Sequence, residues 1–301
     1  MPKPIERISF YDQIARNKRN SIFLIIAIFA VFILLAYVIG LIYSDSFFLI
    51  LIAGIIISIL YVLIGYYNSD KIALASVSAV PADRSQFSQY YNIVEGLTLA
   101  SGLPMPQLYV MQNSEINAFA TGRDPKKSVV CVTTGALEKL SKQELEGVLS
   151  HELSHIANYD IRFMTLVAVL VGMIAIISEI FLRSLWFRGN DREGKGNVAL
   201  MIIGIVLAIL APIVVMLVQL AISRKREYAA DASAVKFTRS PTGLKNALIK
   251  IKNEHVPAED AKRINKAVAP LFISDPFKRK ISGLLQTHPP IEKRIEILDR
   301  M

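Results

Sequence analysis

His151-Glu152-Leu153-Ser154-His155 sets two histidines four positions apart, with a glutamate directly after the first. On a helix, positions i and i+4 share a face, so both imidazoles can reach one metal ion. Glu152 projects beside them, close enough to act as a base toward a metal-activated water. The five residues alone are a weak signal, and the sequence on either side decides what they mean. Upstream, Ser141 and Glu144 fit a capping box, S-x-x-E, which starts a helix. That helix runs through Leu145, Val148 and Leu149 into His151–His155. Nothing in the sequence stops it before Gly172, so it is expected to continue past Asp160 into the apolar run that follows.

That run is one of four. Ser21–Tyr43, Ser46–Tyr67, Phe163–Leu182 and Val198–Ile222 are long, apolar and nearly charge-free. Each has about the 20 residues needed to cross a bilayer core, and none keeps the polar face of a soluble core helix. The chain of 301 residues is 53% hydrophobic, with mean hydropathy +0.43, and these runs hold the excess. The first run follows twenty polar residues, lacks a small-residue cleavage site and is followed at once by another span. It therefore reads as an uncleaved anchor. Lys3, Arg7, Arg16, Lys18 and Arg19 precede it, and the turn Ser44–Ser46 carries no basic residue. The positive-inside rule then puts the N-terminus in the cytoplasm, and Arg224-Lys225-Arg226 marks the same side after the fourth run. Arg183, Arg188, Arg192 and Lys195, between the third and fourth runs, disagree with that topology; those two runs can instead enter the bilayer only partly.

The net charge of +9 comes mostly from Ser223–Met301, which holds 17 Lys and Arg against nine acids. An anionic bilayer is the simplest partner for it; nucleic acid is not expected, since no binding motif accompanies the charge. The single cysteine, Cys131, lies in an apolar run and reads as a buried strand residue. One cysteine excludes an internal disulfide framework.

Between the runs, Ala82–Ala100 has helical spacing, and Gln107–Met111 and Ser128–Thr133 read as strands. Asn117–Ala120 reads as a further short strand at an edge. Val256–Lys280 is the most loop-like region. Two histidines leave a catalytic zinc short of a ligand. Of the remaining candidates, Glu227 stands out, in Arg226-Glu227-Tyr228-Ala229-Ala230-Asp231. Glu227 can offer a carboxylate oxygen. Asp231, one helical turn on, can accept the N–H of a ligating histidine and fix its tautomer. His288 is the candidate donor to an oxyanion, with Arg294 a weaker one; His255 reads as solvated.

With these motifs in order, the chain resembles the HtpX family of membrane zinc metalloproteases, within a broader group that includes the type 1 CAAX prenyl protease. The resemblance covers most of the chain. It rests on the paired N-terminal runs, Asn117-Ala118-Phe119-Ala120, H-E-L-S-H with Asn158 and Asp160, two further apolar runs, Glu227–Asp231, and Thr287-His288-Pro289-Pro290 with Arg294. It implies a mainly α membrane protein with four hydrophobic helices. A cytoplasmic α+β gluzincin-like domain with a small sheet is assembled from two chain segments. The implied division is a cytoplasmic segment 1–20, transmembrane helices 21–43 and 46–67, and a first catalytic part 68–160. Helices 161–182 and 198–222 and a second catalytic part 223–301 follow. One Zn2+ per chain is implied on His151, His155 and Glu227, with Glu152 and His288 catalytic and Asp231 behind the ligands. Asn117, Ala118, Phe119 and Arg294 are implied to meet substrate, the strand by pairing with its backbone. The implied activity is endopeptidase cleavage of misfolded or membrane proteins at the inner (plasma) membrane, in a multi-pass protein with its catalytic domain in the cytoplasm. A catalytically silent membrane scaffold or chaperone and a CAAX-type prenyl protease are the alternatives. The intact Glu152 opposes the first, and four spans oppose the second.

Overall fold

A computed structural model provides the fold. It describes residues 44–167, 224–254, 271–273 and 289–301, with isolated positions between 15 and 37 and Gly204.

The second apolar run forms helix α1, Phe47–Tyr67, preceded by a short 3-10 turn at Ser44–Ser46. Its side chains face outward: over its most apolar window the mean hydropathy is 3.1 and only 11% of the residues are buried. Among the described residues it is the one helix long and apolar enough to cross a membrane. Described positions of the first run are helical and pack on it. The Phe32 ring lies 4.6 Å from that of Tyr61, and a Cβ on Gly54 would overlap Ala36. The third and fourth runs, apart from residues 163–167 and Gly204, lie outside the described residues.

After α1, helix α2 (Ser69–Ser76) leads into a four-stranded sheet. The strands are β1 (Val80–Pro81), β2 (Gln107–Met111), β3 (Ala118–Asp124) and β4 (Lys127–Thr133). Their order is β1-β2-β4-β3, with β2 parallel to β4 and the other pairings antiparallel. Val-rich alternation in β2 and β4 splits the residues between two faces. Val110, Val130 and Val132 join Leu149 and Leu153 in the larger core, while Met111, Val129 and Cys131 join Ala73 and Leu74 of α2 in a smaller one. Cys131 is fully buried, as expected.

Helix α3, Ser88–Ser101, covers the larger face. It starts six residues later than the periodicity of Ala82–Ala100 predicts. Asp83 accepts the Ser85 amide at 2.7 Å, and this side-chain turn competes with the helix; Ala82 instead pairs with the Leu108 carbonyl at 2.9 Å. β3 is at the sheet edge as predicted, but longer than Asn117–Ala120. Thr133 caps helix α4, Thr134–Lys139, by accepting from Ala136 N–H.

Helix α5, Lys142–Ala157, crosses under the sheet. From the C-terminal part of the chain, helices α6 (Arg224–Thr238) and α7 (Thr242–Asn253) pack on it. Two glycines allow the closest approach: a Cβ on Gly147 would overlap the Leu244 backbone, and one on Gly243 would overlap the Gln143 carbonyl. Helix α8, Ile291–Leu298, closes the end of the chain over α6 and α7.

Candidate active site

The capping box predicted for α5 is present. Ser141 Oγ accepts the Glu144 amide at 3.4 Å, and the Glu144 carboxylate accepts the Ser141 amide at 2.7 Å. Lys250 of α7 donates to the same carboxylate at 2.6 Å. This fixed end sets the rotation of α5, and the face carrying His151, Glu152 and His155 turns inward, each no more than 5% exposed.

The helix does not run on into the third apolar run. It stops at Asn158, Tyr159 takes a left-handed conformation (φ 58), and residues 160–167 resume as helix. The break turns Asp160 back toward the site, where its carboxylate accepts His155 Nδ1–H at 3.0 Å. Asp231 of α6 does the same for His151, with Nδ1 and Oδ1 2.9 Å apart. Each Nδ1 therefore donates, and each Nε2 keeps a lone pair pointing into the pocket. The two Nε2 atoms are 3.3 Å apart; Glu227 Oε2 lies 3.6 Å from that of His151, and Glu227 Oε1 lies 3.6 Å from that of His155. A tetrahedral ion bonded at about 2.0–2.1 Å spaces its ligands about 3.3–3.4 Å apart. The three donors match that geometry closely, and the pairing of two imidazoles with one carboxylate suits zinc.

Charge points the same way. Glu152, Asp160, Glu227 and Asp231 are each at most 2% exposed, and the two arginines among them are Arg226 and Arg294. Four carboxylates against two guanidiniums leave two negative charges with the histidines neutral. Uncompensated buried charge is costly, and one divalent cation cancels it. The same surplus of negative charge favours a proton on His151. Burial and Arg294 hold the His151 pKa down, but the Asp231 and Glu227 hydrogen bonds outweigh them and push it up to about 9.

Neither carboxylate oxygen of Glu152 has a hydrogen-bond partner among the described residues. Burial raises its pKa above the ordinary carboxyl value; His151 and His155 pull it down and Glu227 pushes it up, with a net rise. A raised, uncommitted carboxylate next to the metal donors is poised to carry a proton.

Each aspartate behind a histidine has its own arginine. Asp231 is gripped by both arms of Arg294, Nη2 to Oδ1 at 2.7 Å and Nε to Oδ2 at 2.9 Å. The Arg294 charge overrides the burial penalty and holds the Asp231 carboxyl below its ordinary pKa. Asp160 lies 3.5 Å from Nε of Arg226, whose guanidinium also covers the Phe163 ring at 5.0 Å. The supporting roles of Asp160 and Arg226 were not foreseen from sequence.

Arg294 departs from expectation. It is fully buried, and its donors go to Asp231 and to the Ile273 carbonyl at 3.2 Å. It stands behind the histidine and is not open to solvent as a free oxyanion donor. Asn117, Ala118 and Phe119 lie on the edge as expected but are buried to 1% exposure or less. The Asn117 side chain accepts the Ala118 amide at 3.1 Å, so this stretch is not an open shelf. His255 and His288 lie outside the described residues.

The sequence pattern of peptidase family M48 matches residues 84–301, which include every residue of this pocket. The chain belongs to peptidase family M48. Similar proteins include the protease HtpX homolog of Thermoanaerobacter pseudethanolicus, 42% identical over 98% of each chain. That of Dictyoglomus thermophilum is 43% identical over 97% of this chain and 95% of its own. That of Caldanaerobacter subterraneus subsp. tengcongensis reaches 49% over 80% of this chain and 81% of its own. A crystal structure of S. mikatae Ste24p covers 96% of this chain and 67% of its own length, with a TM-score of 0.49 and 19% identity. Family membership makes the chain a membrane-anchored metalloprotease and disfavours the silent scaffold.

Proposed function

We propose that this metalloprotease uses one zinc ion per chain, on His151, His155 and Glu227, to hydrolyse internal peptide bonds of misfolded or damaged membrane proteins. The observation that carries the reading is the convergence of the three donors beside the uncommitted carboxylate of Glu152. Zinc, when bound there, supplies Lewis acidity toward the scissile carbonyl and the attacking water. Glu152 takes the water's proton and later hands it to the leaving amine. Asp231 and Asp160 keep the Nδ1 protons in place, so both Nε2 lone pairs stay aimed at the ion. His288 is proposed as the donor to the oxyanion; an unchanged kcat in His288→Ala would remove it from the site. β3 offers its edge to an extended peptide, which demands backbone rather than sequence and suits unfolded substrates.

The proposed location is the cytoplasmic face of the plasma membrane, in a multi-pass protein with the four spans and the divided catalytic domain given above. Aromatic and basic residues at the end of α1 support a domain seated at headgroup level. Arg162 covers the Tyr66 ring at 5.3 Å, and Arg123 covers Tyr67 at 5.1 Å. Anionic lipid is the proposed partner of this surface. The test is cleavage of an unfolded casein-type substrate with a chelator and with zinc restored. Loss and recovery of cleavage are expected; cleavage indifferent to the chelator contradicts the reading.

A further inference from the structure

The edge of β3 nearest Glu152 is not empty. Leu271-Phe272-Ile273 runs antiparallel beside it, with Phe272 bridged to Phe119. Just before β3, the Asn117 carbonyl turns toward β4, where it accepts the Thr133 amide at 3.1 Å. The backbone groups of Ala118 and Ala120 therefore face off the sheet. The Ala118 carbonyl accepts the Ile273 amide at 3.0 Å. The Ile273 carbonyl in turn accepts from Arg294 Nη1 at 3.2 Å, and that nitrogen lies 3.5 Å from the Glu227 carboxylate. Both backbone groups of one residue are thus held between the edge strand and a cation that touches a metal-ligand side chain. Phe272 secures the segment, its ring 5.0 Å from that of Phe119 in the smaller core. All three residues are at most 3% exposed.

We propose that Leu271–Ile273 is a built-in substrate mimic. The inference rests on reading β3 as the substrate strand. A peptide adding to this edge needs the Ala118 carbonyl that Ile273 holds, and strands pack about 4.8 Å apart, so only one chain fits. The seat formed by the Ala118 carbonyl and the Arg294 guanidinium belongs, in the working enzyme, to a substrate residue next to the scissile bond. Among the described residues the attachment is the bridge between Phe119 and Phe272 and the Ile273 hydrogen bond to Ala118. Two consequences follow. The enzyme is self-blocked until an extended chain displaces the segment, so compact proteins are spared. The preferred substrate carries a large apolar side chain where Phe272 now packs.

The experiment uses the full chain in lipid nanodiscs, in the Glu152→Gln background, with a fluorescent unfolded casein-type polypeptide as probe. Saturating probe is expected to speed amide exchange at Ile273 at least about ten-fold, while Val130 and Val132 of β4 stay protected. Unchanged or slower exchange at Ile273 with the probe bound overturns the mimic. Ile273→Pro deletes the donating N–H, and Phe272→Ala deletes the anchoring ring. Each is expected to bind the probe about five-fold more tightly, because apparent affinity scales with the fraction of open sites. With Glu152 restored, each is expected to lower KM at unchanged kcat. Weaker binding by folded variants, or no binding at all, overturns the proposal. Should a variant fail to fold, the exchange measurement decides. Cleavage that persists in Glu152→Gln refutes the enzyme mechanism instead, and leaves the binding and exchange results to judge the mimic.

Discussion

The two histidines of the pocket are supported in different ways. His155 leans on Asp160, five residues along the same chain segment, and on Arg226, which is 8% exposed and half engaged with a phenyl ring. His151 leans on Asp231 of α6 and, through it, on Arg294 of α8, a residue 143 positions away and wholly buried. The first support is local and loosely spaced; the second is a two-armed ion pair between distant elements. The difference teaches that the His151–Asp231 hydrogen bond itself joins the two parts of the chain that build the pocket, whereas His155 and Asp160 come from one part and reach the other through Arg226. Loss of Asp231 is therefore expected to disturb metal geometry and folding together more than loss of Asp160.

The sharpest way to break this comparison is Asp231→Ala. It strands the Arg294 charge in the core, a loss of about 3–5 kcal/mol, and frees the His151 ring, weakening metal binding about 10–100-fold. Denaturant melts and zinc titration read the two effects. Arg294→Lys comes next. It keeps the charge but loses the planar fork, so about 1.5–3 kcal/mol of stability is expected to go, while Arg226→Lys, whose Nε stands 3.5 Å from Asp160, is expected to cost less. Equal losses would erase the asymmetry. Asp160→Ala is expected to weaken zinc about ten-fold and to cost about 1–2 kcal/mol.

The smallest effect lies at the foot of α5. Glu144 is held below its ordinary pKa of 4.5: burial works against this, but the Lys250 hydrogen bond and those of Ser141 prevail. Because folding lowers this pKa, its contribution is present above about 4.5 and is lost as pH falls through the folded value. Glu144→Gln is expected to cost about 0.5–1 kcal/mol at pH 7 and less at acidic pH, as the carboxylate takes up its proton. Melts at neutral and acidic pH check it.

Much of the site was legible because it is written in spacing. His151, Glu152 and His155 share a helical face, and Glu227 and Asp231 repeat that spacing. Asp160 was hidden by a reasonable assumption. On an unbroken helix it sits about 140° around from His155, and only the left-handed turn at Tyr159 brings it back. Arg294 carried an overlooked signal, since it falls within the apolar stripe Ile291, Ile295, Leu298 of an otherwise charged helix. A cation there has to be buried and paired. The segment at Leu271–Ile273 left no trace in periodicity, because three apolar residues in a row carry no repeat to read. β2 and β4 were legible from their Val-rich sequence, and the start of β3 from Asn117–Ala120, whereas two-residue β1 was missed and the start of α3 was lost to the Asp83 turn.

The most direct measurement is zinc content and polypeptide cleavage, determined in parallel on the wild-type chain and Glu152→Gln. One zinc per chain in both, with cleavage by the wild type alone, is the predicted result. Zinc-free but active wild type, or a Glu152→Gln protein that cuts as the wild type does, would contradict the account.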